Sequence, residues 1–210
     1  MIFRLKDDDI TFPPPELAEE DGLLAVGGDL SANRLLLAYQ SGIFPWYSDD
    51  TPILWYSPHD RFVLFPERLK ISKSMRGVIN SRKFTVTFDQ AFGEVIRACK
   101  TVTRSGQDGT WITPEMEAAY TDLHRLGYAH SVEVWEGYKL VGGLYGVAIG
   151  TVFCGESMFS KSTNASKTAL IWLSKSGKFK MIDCQIYSEH LESMGAELIS
   201  REEYMSILRG

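Results

Sequence analysis

The chain has little cysteine and little histidine. Its three cysteines, Cys99, Cys154 and Cys184, are odd in number, widely separated and set among apolar neighbours. That excludes a disulfide framework and fits reduced thiols packed in a core. With no Cys-x-x-Cys and only four scattered histidines, no zinc-binding spacing is present and no metal is expected. Long apolar runs are missing too: nothing approaches the ~20 residues of a membrane span. The opening Met1-Ile-Phe-Arg-Leu-Lys lacks the apolar stretch of a secretion signal, so a cytoplasmic protein with no membrane partner is expected. Positive charge is also short. A formal net charge of −5 argues against indiscriminate binding to nucleic acid but leaves room for a local basic patch.

What is present suffices for one or two folded domains: 210 residues, 44% hydrophobic and 12% aromatic, can bury a sizeable core. The first part reads as a small, turn-rich lobe. Phe12-Pro-Pro-Pro15 is stiff and extended, Ser31 caps a helix carrying Leu35, Leu36, Ala38 and Tyr39, and Gly42 stops it. The next loops are crowded with aromatics. Trp46 beside Pro45 is either a core residue or a platform for a nucleic-acid base, and Trp111, just ahead of the helix that Thr113-Pro114 begins, offers the same two readings. From Glu67 to Lys83 six basic residues, Arg68, Lys70, Lys73, Arg76, Arg82 and Lys83, face one acid. In an acidic chain this is either a solvated face or a docking place for a polyanion.

The stretch from His130 to Gln185 organises the rest. Three strand-like runs joined by short turns form an antiparallel meander. A helix capped by Asn164 runs to Ser176, a further strand follows, and Ser200 with Glu203 forms a capping box for a last helix. The pattern is α+β. Strand alternation puts Ile182, Cys184 and Ile186 on one side and Asp183 with Gln185 on the other. Glu156 stands next to Gly155, a glycine within a strand pattern that signals a bulge. A carboxylate and an amide on one strand, with a second carboxylate on another, suggest a site; the alternative is a wet sheet face.

Eight strings now carry a family resemblance: Gly27-Gly-Asp-Leu30, Gly42-Ile-Phe-Pro-Trp46, Gly109-Thr-Trp-Ile-Thr113, Ala129-His-Ser-Val-Glu-Val-Trp135, Leu140-Val-Gly-Gly143, Phe153-Cys-Gly-Glu-Ser-Met-Phe-Ser160, Asn164-Ala-Ser-Lys-Thr-Ala-Leu170 and Ile182-Asp-Cys-Gln185. Jointly they resemble the leucyl/phenylalanyl-tRNA protein transferases over nearly the whole chain. The resemblance implies a small N-terminal domain, residues 1–62, and a GNAT-like acyltransferase domain, residues 63–210, with a mainly antiparallel sheet and flanking helices. It implies transfer of Leu or Phe from aminoacyl-tRNA to proteins beginning with Arg or Lys, marking them for degradation by the N-terminal rule. A monomer is expected.

The resemblance also assigns parts. Trp46 and Trp111 would flank the terminal adenosine, and Leu144, Phe153, Met158, Leu170, Leu173 and Ile182 would form the amino-acid pocket, Leu173 standing where an aromatic is usual. Lys70, Lys73, Arg76, Arg82 and Lys83 would meet the acceptor stem through its phosphates. An aminoacyl ester is already activated, so amide formation needs a neutral amine, positioning and charge relief, and no cofactor is expected. Asp183 is the candidate to accept from or orient that amine, Gln185 to hold Asp183 or the substrate carbonyl, and Glu156 to supply negative charge for the acceptor. Two other chemistries compete. A CoA-dependent acetyltransferase needs a glycine-bearing pyrophosphate loop, which Ser160 to Ser166 lacks, and a Cys154 acyl-enzyme needs a neighbouring histidine base.

Overall fold

The computed structural model describes residues 2–48, 50–101 and 112–210. In chain order the elements are β1 (Phe3–Leu5), β2 (Leu23–Gly27), α1 (Ala32–Gln40), β3 (Phe44–Pro45), β4 (Leu54–Tyr56), β5 (Asp60–Leu64), α2 (Lys73–Asn80), β6 (Thr85–Phe88), α3 (Phe92–Thr101) and α4 (Pro114–Arg125). After these come β7 (Ala129–Glu136), β8 (Lys139–Ile149), β9 (Val152–Ser160), α5 (Ala165–Lys175), β10 (Met181–Gln185), α6 (Glu189–Glu192), β11 (Glu197–Ser200) and α7 (Arg201–Arg209). None of the described helices is long and apolar enough to cross a membrane.

Two sheets form an α+β architecture. The small one, in the order β1-β2-β4-β3, is N-terminal; the large one runs β11-β5-β10-β9-β8-β7-β6. The expected meander is β7-β8-β9, antiparallel throughout. The crossover through α5 then brings β10 back parallel to β9, the one parallel pair in a sheet otherwise antiparallel among the described residues. The expected domain boundary falls inside β5, which lies between β11 and β10 in the large sheet. One apolar core accordingly runs from Leu24, Leu35 and Trp55 of the N-terminal part to Val95, Met116 and Tyr145 of the remainder.

That core covers one face of the large sheet, under α3 and α4, and a second core covers the other, under α5. Helix α5 sits close because β8 is bare where they cross: a Cβ on Gly142 would lie 2.4 Å from Ala165 Cβ. Burying Leu170 and Leu173 there contributes roughly 1.5–3 kcal/mol each. Local signals fixed most ends. Ser31, Thr113 and Ser200 each accept a hydrogen bond from the backbone N–H three residues on. Asn164 is the exception, since it precedes α5 in the left-handed region, at φ 72°, and its side chain makes no capping bond.

Candidate active site

Two bulges on adjacent strands build the site. The parallel pairing of β9 and β10 covers Val152 with Met181, Phe153 with Ile182 and Cys154 with Asp183, and goes no further. Beyond it, Tyr145 of β8 pairs with Ser157 while Gly146 pairs with Gly155, leaving Glu156 as the extra residue of a bulge beside Gly155. On β10, Asp183 pairs with Val63 and Gln185 with Phe62, so Cys184 is extra there. Gln185 turns into the left-handed region at φ 65°. Bulges re-aim side chains. Here they turn Glu156 and Gln185 toward each other across the parting strands, and Gln185 Nε2 donates to Glu156 Oε1 at 2.8 Å.

The two carboxylates of this site have different surroundings. Asp183, fully buried, accepts from Arg61 Nε at 2.9 and 3.1 Å, from Arg61 Nη2 at 2.9 Å, from Tyr204 Oη at 2.9 Å and from the Gln185 backbone N–H at 2.8 Å. Arg61 is itself held between the Phe44 and Tyr204 rings, 4.6 Å from each centroid, and donates to the Gly42 carbonyl. Burial works against the Arg61 charge, but Asp183 outweighs it and raises the guanidinium's pKa. Asp183 is thus a fully engaged anion that fixes the backbone at Gln185. Glu156 is buried with no cationic partner among the described residues: Tyr120 Oη donates to its Oε2 at 3.1 Å, and Tyr39 Oη bonds Tyr120 Oη behind it. Burial pushes Glu156 up to about 7; the tyrosine hydroxyls oppose the rise and the nearby Asp183 charge adds to it. A carboxyl poised there exchanges a proton readily at neutral pH.

Glu156, Gln185 and Asp183 line a cavity of about 370 Å³. Its apolar wall contains Leu144, Phe153, Met158, Leu170, Leu173 and Ile182, all six of the residues expected in the pocket. Its rim includes Trp46, Tyr187 and His190. Such a space takes one uncharged side chain and sets the attached backbone atoms near a carboxyl and an amide.

Residues 63–209 match the family described as leucyl/phenylalanyl-tRNA protein transferase, and residues 28–59 match that family's N-terminal domain. The leucyl/phenylalanyl-tRNA–protein transferase of Syntrophobacter fumaroxidans is 60% identical over 210 residues, which cover 99% of this chain and 89% of that protein. That of Flavobacterium johnsoniae is 56% identical over 212 residues, covering 100% and 99% respectively. The chain belongs to this family. It is an aminoacyltransferase. Among solved structures, a GCN5-related N-acetyltransferase from Kribbella flavida aligns with a TM-score of 0.38 and 11% identity over 76% of this chain and 57% of its own, too remotely to bear on the argument.

Other expected residues of the enzyme lie apart from the cavity or beyond view. Lys70, Lys73, Arg76, Arg82 and Lys83 are exposed on and around α2, and none of them lines the cavity. Trp111 lies outside the described residues. Cys154 is buried with Sγ 3.9 Å from Tyr204 Oη, and burial raises its thiol well above the usual range, so it has no reactive setting. Sequence reasoning missed Arg61, Tyr204, Tyr120 and Tyr39. For Arg61 one signal existed: it directly precedes the apolar run Phe62-Val-Leu64 of a strand, where a charged side chain that is drawn inside needs a buried partner. The tyrosines look like ordinary core aromatics until the fold joins them.

Proposed function

We propose that the enzyme transfers Leu or Phe, and by the same pocket Met, from aminoacyl-tRNA to the α-amino group of proteins beginning with Arg or Lys, marking them for degradation by the N-terminal rule. The observation that carries this reading is the apolar cavity with Glu156 and Gln185 at its polar end. The amino-acid side chain occupies the apolar wall. The acceptor amine attacks the ester carbonyl, the new C–N bond forms, and the bond to the terminal ribose oxygen breaks. Glu156 takes the amine proton, and that proton then serves the leaving oxygen. Its pKa of about 7 suits both halves of the exchange.

Asp183 then has an orienting role, because its oxygens are occupied by Arg61, Tyr204 and the Gln185 N–H. Gln185 is held between that anchor and Glu156 and donates toward the carbonyl oxygen as charge develops there. Trp46 and Trp111 stack on the terminal adenosine, and the basic face from Lys70 to Lys83 meets the acceptor stem. The enzyme works as a cytoplasmic monomer with no cofactor. A panel of otherwise identical peptides starting with Arg, Lys, Gly or Ala, offered with Leu-tRNA, tests the acceptor: transfer to the first two only is expected, and equal transfer to all four would overturn the assignment.

A further inference from the structure

The basic face on α2 does not stop at Lys83. The Lys83 ammonium donates to Ser162 Oγ at 3.1 Å, which ties the turn after α2 to the connection between β9 and α5, with Glu136 3.7 Å away as its one acidic neighbour in the described residues. In that connection the exposed Lys161 carries its ammonium over the ring of the buried Phe159, 5.6 Å from its centroid. Lys167, in the first turn of α5, stands three residues before Leu170 and so on the same side of the helix, and Leu170 lines the cavity; His190, on which Lys167 acts electrostatically, lines it too. Neither Lys161 nor Lys167 has an ion-pair partner among the described residues. Helix stability does not explain Lys167 either, because a cation in the first turn of a helix opposes the helix dipole. The cations therefore form a continuous strip from α2, across the β9–α5 connection, to the cavity.

A duplex stem cannot enter a cavity sized for one side chain, so a donor whose stem rests on α2 must reach the cavity by a single strand, and that strand carries phosphates. We infer that Lys161 and Lys167 hold the phosphates of the donor's single-stranded 3′ end on its way from the α2 face to the cavity. The inference rests on the proposed reading that the donor is an aminoacyl-tRNA, and it assigns to these two lysines a part of donor recognition separate from the stem.

The test replaces Lys161→Gln and Lys167→Gln together and measures transfer from Leu-tRNA and from leucyl-adenosine, which lacks the upstream phosphates. The expected result is a several-fold higher KM for Leu-tRNA at low salt, an unchanged kcat, and an unchanged KM for leucyl-adenosine and for the acceptor peptide. The salt dependence of Leu-tRNA binding, on logarithmic axes, should become shallower by about 0.7 per lysine, the value for single-stranded phosphate contacts. Equal losses with both donors, no change with either, or a raised KM for the peptide alone would overturn the inference, the last pointing to an acidic protein surface instead. Failure of the unmodified enzyme to use Leu-tRNA would overturn the underlying reading of the donor, and is seen separately in the same assay.

Discussion

Glu156→Gln separates the proposed base from its surroundings, and its effect on stability can be worked out before its effect on rate. Burial raises Glu156 from an ordinary 4.5 to about 7. The folded protein therefore binds this proton more tightly than the unfolded chain does. The stabilisation is complete below pH 4.5 and is lost as pH rises through about 7. The difference corresponds to about 3 kcal/mol. Glutamine keeps the size and can accept from Tyr120, while Gln185 can turn its amide, so the variant should lack this loss. Urea melts of both proteins at acid and at mildly alkaline pH should show their stability difference moving in the variant's favour by up to about 3 kcal/mol as pH rises. In kinetics, kcat/KM should fall with a two-proton dependence at low pH in the unmodified enzyme, one proton from Glu156 and one from an amine of pKa ~7.7–8.0. The variant should show one, at a rate lower by about 10²–10⁴. A stability difference independent of pH together with a retained two-proton limb would refute the reasoning.

Other expectations follow from the same structure. Arg61→Met leaves Asp183 buried without its cation and should cost about 3–5 kcal/mol in urea unfolding, largely recovered by adding Asp183→Leu; a cost under about 1 kcal/mol for the single change would mean that the pair is not formed. Changing Arg76, Arg82 and Lys83 together to Glu should weaken tRNA binding and flatten its salt dependence while sparing an aminoacyl-adenosine donor. Equal loss with both donors would make that face structural. Leu173→Phe narrows an all-apolar wall, and because one methylene decides only ~1–3 kcal/mol, preference is graded. Competition between Leu-tRNA and Phe-tRNA should shift toward Leu, and a shift toward Phe would show a ring stacking on the substrate instead.

Much of this was legible in the sequence because it is local. Ser31, Thr113 and Ser200 marked helix starts, the β7-β8-β9 turns gave the meander, and Gly155 signalled the bulge that turns Glu156 inward. Strand alternation put Asp183 on a different face from Cys184, which packs with Ile182 in the second core. What alternation could not supply was the partner: Arg61 is 122 residues from Asp183, and only the placement of β5 against β10 joins them. Without that pair Asp183 looks like a free carboxylate and the obvious acceptor of a proton. The same limit hid the tyrosine pair, since Tyr39 and Tyr120 are 81 residues apart and meet behind Glu156 only after α1 and α4 pack. Asn164 misled differently. A favourable capping residue stood at the right position, but the backbone arrives left-handed and the side chain makes no capping bond.

The central claim is that this site joins an amino acid from an RNA ester to a protein's N-terminus, and one incubation tests it. The purified enzyme is given Phe-tRNA labelled in the amino acid and a peptide beginning with Arg, with labelled acetyl-CoA as the control donor, and the peptide is analysed for added mass. The account predicts a single phenylalanine on the α-amino group, no acetyl group, and loss of the product with Glu156→Gln. Acetylation of the peptide, or no transfer despite binding of the tRNA, would contradict it.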